Sequence, residues 1–269
     1  MASHHPGHAT STVTDMPKVY LLDYVAGNIR SLVNAIERCG YEVEWIRTPE
    51  DVAKANKIIL PGVGHFGHCL TSLKQAGYLP ALQDYIKAGK PFFGICVGLQ
   101  ALFAGSAEAP DATGLNLIPE KLEHFSSTNK DGSRKSVPCI GWNDATTIHN
   151  EEDLANPVQS FYGLSPTSKY YYVHSYFAPY QSGVLEQKGW TVATATYGDQ
   201  TYIGAIGRDN VFATQFHPEK SGAAGLRVIK AFLDGRKWSS KPASPRSSTS
   251  NALPQSLSDG DHRDSGTNG

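Results

Sequence analysis

The sequence predicts an α/β fold: a three-layer, open and mostly parallel sheet with an appended antiparallel part. In the first half, short apolar runs alternate with segments of helical periodicity, an order that places helices on both faces of a parallel sheet. In the second half, segments of strand character follow one another with little helix between them. The 269 residues are 40% hydrophobic, which is enough apolar material for a large core.

The first half contains four apolar runs that predict buried strands, at 18–23, 41–46, 57–60 and 91–95. Apolar residues at helical spacing between Ile29 and Ile36 predict the first helix, and Gly40 is placed to end it. Thr48 followed by Pro49 predicts the start of the second helix. Three more helices are predicted, at 66–76, 79–88 and 97–105.

The second half is dominated by predicted strands, near 115–124, 137–141, 170–177, 191–197, 203–207 and 211–216. A closing helix is predicted over 221–233. The folded part of the chain is therefore expected to be one domain, residues 17–235. Residues 1–16 have no apolar run typical of a secretory signal, and 236–269 are rich in serine and proline, so we expect a disordered leader and a disordered linker or tail.

Charge and cysteine content exclude several classes of function. Lys and Arg total 24 and Asp and Glu total 25, so the net charge of −1 argues against a nucleic-acid or membrane-surface protein. No apolar run approaches the length of a transmembrane helix. The four cysteines are widely spaced without a CxxC pair, which favours reduced thiols and a cytoplasmic location over a disulfide scaffold or zinc ribbon.

The strongest local signal is GICVG (94–98), between an apolar strand and a predicted helix. A nucleophile on a sharp strand-to-helix turn needs small neighbours, because the strained backbone approaches other segments closely. The helix that follows would direct N–H groups and its positive end at Cys96, favouring the thiolate and offering donors to an oxyanion. Cys96 is the candidate nucleophile, whereas Cys39, Cys69 and Cys139 are interpreted as small buried hydrophobes.

A second signal, His217-Pro218-Glu219, follows a predicted strand. Side chains at i and i+2 of an extended chain point to the same side, so Glu219 could orient one imidazole nitrogen while the other faces Cys96. The alternative is that this tripeptide is only a turn between a strand and a helix. The presence of the Cys96 turn favours the functional interpretation.

A third signal is PGVG (61–64), which follows another apolar strand. Its two glycines would let the Val63 N–H point into a cleft and form an oxyanion hole with the Val97 N–H. The same loop could instead hold a phosphate, although it lacks the sequence of a Walker loop. Taken alone, the loop does not decide between these two roles.

Together, the GxCxG turn and the distant HPE tripeptide resemble the class I glutamine amidotransferases. Six stretches further resemble the glutaminase part of imidazole glycerol phosphate synthase, in its fused fungal and plant form: 23–28, 61–66, 94–100, 138–143, 172–176 and 216–221. The resemblance covers about residues 17–235 and keeps its order throughout. It implies a flavodoxin-like sheet and no cofactor or metal.

The resemblance implies a mechanism in which Cys96 attacks the side-chain amide of glutamine and His217, oriented by Glu219, protonates the leaving ammonia. A glutamyl thioester forms and water releases glutamate, while the Val63 and Val97 amides stabilise the oxyanion. Residues implied to contact glutamine are Gly62, Gly64, Gln100, Ser175 and Tyr176. For Gln100, an ordinary polar helix position is the alternative.

The resemblance also implies a partner, a (β/α)₈ cyclase domain or subunit that consumes the ammonia. It would make imidazole glycerol phosphate and aminoimidazole-carboxamide ribotide, as in histidine biosynthesis. Residues implied to lie on the docking face are Asn28, Trp142, Asn143, Tyr171 and Lys220. The alternative for Trp142 and the tyrosines is that they fill the core. No cyclase barrel is present in this chain, which is therefore expected to be either a truncated fused enzyme or a stand-alone subunit.

Other functions remain open at this point. They are a glutaminase for another synthase, a cysteine hydrolase that needs no partner, and a regulatory protein with a vestigial triad. Trp142-Asn143, the 23–28 opening and Lys220 after HPE favour the histidine-pathway glutaminase. The presence of Cys96, His217 and Glu219 argues against loss of activity.

Overall fold

The computed structural model describes residues 16–22, 29–148 and 161–235. These residues all belong to one of the two compact units into which the chain divides. The predicted leader up to residue 15, the predicted tail, the 23–28 opening and the interface candidate Asn28 lie outside the described residues. The domain boundaries 17–235 therefore stay a prediction.

The described residues form thirteen strands and six α-helices. The strands are β1 (Lys18–Leu22), β2 (Glu42–Ile46), β3 (Ile58–Gly62), β4 (Phe92–Cys96), β5 (Phe103–Ser106), β6 (Ile118–His124), β7 (Cys139–Asn143), β8 (Thr146–Thr147), β9 (Tyr170–His174), β10 (Tyr176–Phe177), β11 (Thr191–Tyr197), β12 (Gln200–Arg208) and β13 (Val211–Thr214). The helices are α1 (Arg30–Arg38), α2 (Pro49–Lys54), α3 (Phe66–Gln75), α4 (Tyr78–Lys87), α5 (Val97–Gln100) and α6 (Gly222–Leu233).

The large sheet has eight strands in the order β2-β1-β3-β4-β13-β12-β11-β8. The first five strands pair in parallel and the last three in antiparallel fashion, which confirms the predicted open α/β sheet with an antiparallel part. The parallel strands have the doubly wound flavodoxin-like order. The helices pack in two groups. Helix α1 contacts α6, and helices α2 and α3 both contact α4, as expected for a sheet covered on both faces.

Sequence signals for the first helices match the structure. Thr48 and Asp51 form a reciprocal capping box at the start of α2, with Pro49 at its first position. Gly40, directly after the end of α1, has a φ of 84°, which a residue with a Cβ rarely adopts. Both signals are local, because the residues that satisfy the helix ends lie within a few positions of them.

The predicted helix 97–105 is wrong beyond its first turn. Helix α5 ends at Gln100, and Phe103–Ser106 form strand β5 instead. The N–H of Leu115 donates to the Ala101 carbonyl at 2.7 Å, and the N–H groups of Leu117 and Ile118 donate to the Leu102 carbonyl at 2.9 and 3.0 Å. A distant segment therefore occupies the carbonyls that a longer helix would have used.

Two small sheets lie beside the large one, β10-β6-β5 and the antiparallel pair β7-β9. The pair β7-β9 matters for the site, since Cys139 is opposite His174 and Trp142 is opposite Tyr171. Strand β8 was not predicted, because two residues carry no readable alternation. Within the described part of the chain, no helix is long and apolar enough to cross a membrane.

The turn between β4 and α5 predicts a sharp sensitivity to side-chain volume. A Cβ on Gly98 would overlap the carbonyl oxygen of Leu60, whereas a Cβ on Gly105 would meet its nearest neighbour, the Ala112 carbonyl, at an ordinary 3.5 Å. We expect Gly98→Ala to lower the free energy of unfolding by about 2 kcal/mol, and Gly105→Ala to change it by less than about 0.5 kcal/mol. Urea unfolding of both variants measures this difference, and equal effects would show that the Leu60 carbonyl does not limit the side chain at position 98.

Candidate active site

Cys96 lies at the carboxyl end of β4 in a strained backbone conformation, with φ 54° and ψ −105°. Two close approaches accompany this turn: a Cβ on Gly94 would overlap the Gly98 carbonyl, and a Cβ on Gly98 would overlap the Leu60 carbonyl. The glycines at both positions are therefore sterically required. They let the turn pack directly against β3 and leave the cysteine, 4% exposed, at the edge of the sheet.

His217 and Glu219 meet across a short 3₁₀ turn, Pro218–Lys220, rather than along the extended chain that the sequence suggested. His217 Nδ1 lies 2.8 Å from Glu219 Oε1, and both side chains are almost fully buried. The backbone of His217 is held as well, because its N–H donates to the Tyr171 carbonyl at 2.9 Å and its carbonyl accepts from Ser221 Oγ at 2.6 Å.

The electrostatics of His217 favour its protonated form. Burial lowers the pKa of its imidazole, but the charge and hydrogen bond of Cys96 and the hydrogen bond of Glu219 outweigh burial and raise that pKa to about 10. Because Nδ1 is engaged by Glu219, the hydrogen bond to Cys96 involves Nε2. At neutral pH the imidazole is thus an acid aimed at the sulfur, with a carboxylate behind it.

A cavity of about 380 Å³ opens at this edge of the sheet. Predicted site residues that line it are Val63, Gly64, Cys96, Val97, Gln100, Ser175, Tyr176, His217 and Lys220. Gly62 and Glu219 are not among its lining residues. Gly62 pairs with Cys96 in the sheet, and Glu219 contacts the cavity's His217.

The two predicted oxyanion donors leave the sheet side by side. Gly62 and Cys96 are the last paired residues of β3 and β4, so Val63 and Val97 follow at the same edge. Gly64 has a φ of 97°, which explains the second glycine of the loop. Helix α5 has only one turn, so the expected contribution of a helix dipole is small and the backbone N–H groups are the relevant donors.

Gln100 is the last residue of α5 and is buried beside the cavity. Its Nε2 donates to the Tyr176 carbonyl at 3.1 Å and to Gln215 Oε1 at 3.3 Å, so both amide hydrogens are used. Among the described residues, none donates to its Oε1. The Gln100 oxygen is therefore the atom available to a bound molecule.

Four further residues line this cavity: Glu108, which the sequence did not indicate, and Pro138, Val173 and His174, which lie in the stretches 138–143 and 172–176 but were given no role at the site. Glu108, in the loop after β5, lines it and accepts from the Phe66 N–H at 2.7 Å. His174 lines it too, and burial lowers the pKa of its imidazole to about 4. Pro138 and Val173 complete the wall. Nothing in the local sequence marks Glu108, because its proximity depends on the path of the β5–β6 segment.

Comparison with known proteins identifies the family. The model of the class-I glutamine amidotransferases matches residues 20–234. The chain belongs to the class I glutamine amidotransferases. Imidazole glycerol phosphate synthase hisHF of Emericella nidulans is 61% identical over 220 residues, which are 82% of this chain and 38% of that protein.

A shorter relative is matched by this amidotransferase along almost the whole length of that relative. Imidazole glycerol phosphate synthase subunit HisH of Syntrophotalea carbinolica is 40% identical over 217 residues, covering 80% of this chain and 99% of that subunit. The chain thus spans 38% of the fused relative but nearly all of the separate subunit.

Solved structures share the fold of this amidotransferase. A chain in the structure of PurLQS from Thermotoga maritima has a TM-score of 0.58 at 19% identity, covering 83% of this chain and all of that one. At this level of identity the likeness shows the fold alone. The described residues contain no group of three or more His, Cys, Asp or Glu side chains arranged to hold a metal ion.

An apolar surface adjoins the cavity of this amidotransferase. It contains three large hydrophobic side chains. Val63, at the cavity, is 36% exposed, and Ile140 and Trp142, on the neighbouring β7, are 60% and 58% exposed. Trp142 contacts Tyr171 edge to face, with ring centroids 6.0 Å apart, and Lys220 Nζ lies 5.9 Å from the Tyr171 ring. Trp142 therefore does not fill the core, and Tyr171 and Lys220 connect it to the cavity.

Asn143, another predicted docking residue, has its amide turned to this chain. Its Nδ2 donates to the Thr196 carbonyl at 2.8 Å, and its Oδ1 accepts from the Asp144 N–H at 2.8 Å. The first bond attaches the end of β7 to β11, and the second fixes the orientation of the Asn143 amide. The contacts of Asn143 therefore position the strand that carries Trp142.

The buried His174 predicts a specific acid sensitivity. An unfolded His174 takes up a proton near pH 6.5 and the folded one only near pH 4, so stability falls as the pH falls through this window, by about 3 kcal/mol. We expect His174→Asn, which can still donate to the Tyr176 carbonyl, to remove this part of the pH dependence. Urea unfolding between pH 7 and pH 4 measures the slope, and identical slopes for both proteins would contradict the assignment.

Proposed function

We propose that this chain hydrolyses the side-chain amide of glutamine and supplies the ammonia to a (β/α)₈ cyclase that makes imidazole glycerol phosphate. One observation carries the proposal: Cys96 and a His217 that favours its protonated form line a single cavity, and the buried Glu219 holds His217 from behind. This is the order of nucleophile, acid–base and orienting group that acyl transfer through a thioester needs. The histidine-pathway relatives support the choice of cyclase.

In the proposed reaction, Cys96 Sγ attacks the carboxamide carbon of glutamine. The oxygen becomes an oxyanion that the Val63 and Val97 N–H groups stabilise, and His217 Nε2 gives its proton to the departing ammonia. The glutamyl thioester is then hydrolysed, with His217 taking a proton from the attacking water and Cys96 released. Glu219 keeps the imidazole in its orientation through both steps.

Charges around the cavity suit the amino-acid end of glutamine. The carboxylate of Glu108 is a partner for the α-ammonium group, and the Gln100 oxygen can accept from an N–H of the substrate. Backbone groups at Ser175 and Tyr176 border the same cavity and would bind the α-carboxylate. Gly64 borders the space beside the loop that the substrate would fill, whereas the buried Gly62 supports the loop from β3.

The surface formed by Val63, Ile140 and Trp142 is proposed as the docking face for the cyclase. An exposed tryptophan beside a tyrosine is the composition expected at the centre of a protein interface, and Lys220 suits its rim. Its continuity with the cavity through Tyr171 and Lys220 supports a position beside the exit that ammonia would use. Four free, buried cysteines fit a reducing compartment, and we propose the cytoplasm.

Glutamate release from glutamine tests this function. We expect slow release by the chain alone and strong activation by an added cyclase domain carrying its ribonucleotide ligand. Cys96→Ala should lower the activated rate at least about a thousandfold, while Cys39→Ala, a buried cysteine away from the cavity, should leave it unchanged. Fast release that ignores the cyclase would favour a partner-independent hydrolase, and no release in any combination would overturn the proposal.

The docking face makes a separate prediction. We expect Trp142→Ala to weaken binding of the cyclase domain at least about tenfold, without lowering the melting temperature, because the indole is exposed. Met16→Ala is the control, since this side chain of similar exposure precedes β1 at the opposite end of the parallel strands. Titration calorimetry measures both, and equal affinities would place the docking face elsewhere.

A further inference from the structure

Gln215 contacts the nucleophile directly and has no part in the function proposed above. It is fully buried, at 0% exposure, two residues before His217. Its Nε2 lies 3.6 Å from Cys96 Sγ, and its Oε1 accepts from Gln100 Nε2 at 3.3 Å. Its own backbone N–H donates to the Gly204 carbonyl at 2.8 Å, which fixes the residue next to the large sheet.

The orientation of the Gln215 amide follows from its neighbours. The Tyr176 carbonyl can only accept, and the Gln100 group that faces it must therefore be the NH₂. The second hydrogen of that NH₂ points to Gln215, whose side-chain oxygen must therefore be the acceptor. The NH₂ of Gln215 is left to face Cys96 Sγ, so it is a donor to the sulfur.

The far end of this series of bonds is held by His174. Its Nδ1 lies 2.9 Å from the Tyr176 carbonyl, and because burial keeps the ring neutral, Nδ1 carries the hydrogen. The Tyr176 carbonyl thus receives two donors and cannot turn away. A continuous network joins His174, Tyr176, Gln100 and Gln215 to the nucleophile.

An N–H that donates to sulfur interacts more strongly with a thiolate than with a thiol, because a hydrogen bond to an ionised acceptor is charge-assisted. In a buried site this preference is larger than at the surface, since water does not compete for the sulfur. Cys96 therefore receives one donor from His217 and a second, uncharged donor from Gln215.

We infer that Gln215 is a positioning residue of the glutaminase reaction. Its amide holds the Cys96 sulfur beside His217 and stabilises the thiolate, and Gln100 sets the direction of that amide. The group that borders the substrate is thereby connected to the nucleophile by two hydrogen bonds. The inference rests on the proposed function for its purpose, but the thiolate can be measured without any turnover.

The test is the rate of Cys96 alkylation by iodoacetamide as a function of pH, followed by peptide mass spectrometry to separate Cys96 from the other three cysteines. In Gln215→Leu we expect the midpoint of the pH profile to rise by about one unit and the rate at pH 7 to fall about tenfold. Gln83→Leu is the matched control: this half-buried glutamine donates to the Leu115 carbonyl at 3.3 Å and should alkylate like the wild type.

A second variant keeps the side-chain shape. In Gln215→Glu a carboxyl group faces the sulfur and the donor becomes an acceptor, so we expect a midpoint above that of Gln215→Leu. If Gln215→Leu does not unfold cooperatively and is therefore not folded, the alkylation midpoint of Gln215→Glu is the test. A midpoint in the folded variants equal to that of the wild type overturns the inference, whether or not the chain releases glutamate.

Gln100→Leu tests the connection. Without the Gln100 NH₂, the Gln215 amide is free to rotate and to present its oxygen to the sulfur. We expect the alkylation midpoint to rise in Gln100→Leu. The double variant, Gln100→Leu with Gln215→Leu, should show no larger a shift than Gln215→Leu alone, because the two residues act through one bond. Additive shifts would show that Gln100 does not act through Gln215.

Discussion

The site depends on the close packing of the β4–α5 turn against β3. Cys96 holds a positive φ that costs a non-glycine residue about 1 to 2 kcal/mol. The cost is offset by strands β3, β4 and β13, whose residues are all buried and fix the turn from both sides. Because Gly98 has no side chain, the turn reaches the Leu60 carbonyl, and the sulfur and the Val97 N–H come to the edge of the sheet.

The switch from parallel to antiparallel pairing brings the remaining groups to the same edge. Strand β13 runs parallel to β4, with Thr214 opposite Ile95, so the chain that follows it delivers Gln215 and His217 beside Cys96. The His217 N–H then bonds the Tyr171 carbonyl in β9, whose partner strand β7 carries Trp142. Cys96, His217 and the exposed apolar surface are thus connected through main-chain hydrogen bonds, which would give the proposed cyclase a short path to the cavity.

Features set by neighbouring residues could be predicted from the sequence, and features set by distant contacts could not. The apolar runs, the α2 capping box and the two glycines around Cys96 each have a local physical cause. The end of α5 at Gln100 depends on N–H groups of 115–118, and the location of Glu108 depends on the path of the loop after β5. Gln215 carried no signal, because an apolar strand with one glutamine does not indicate which atom that glutamine contacts.

We propose that one of the four cysteines, Cys96, is held as a nucleophile in a cavity that binds glutamine. An electrophilic glutamine analogue such as 6-diazo-5-oxonorleucine tests it most directly, with intact-mass and peptide analysis of the labelled chain. We expect one label per chain, on Cys96, and protection of Cys96 by glutamine. Labelling spread over Cys39, Cys69 and Cys139, or labelling of Cys96 that glutamine does not slow, would contradict it.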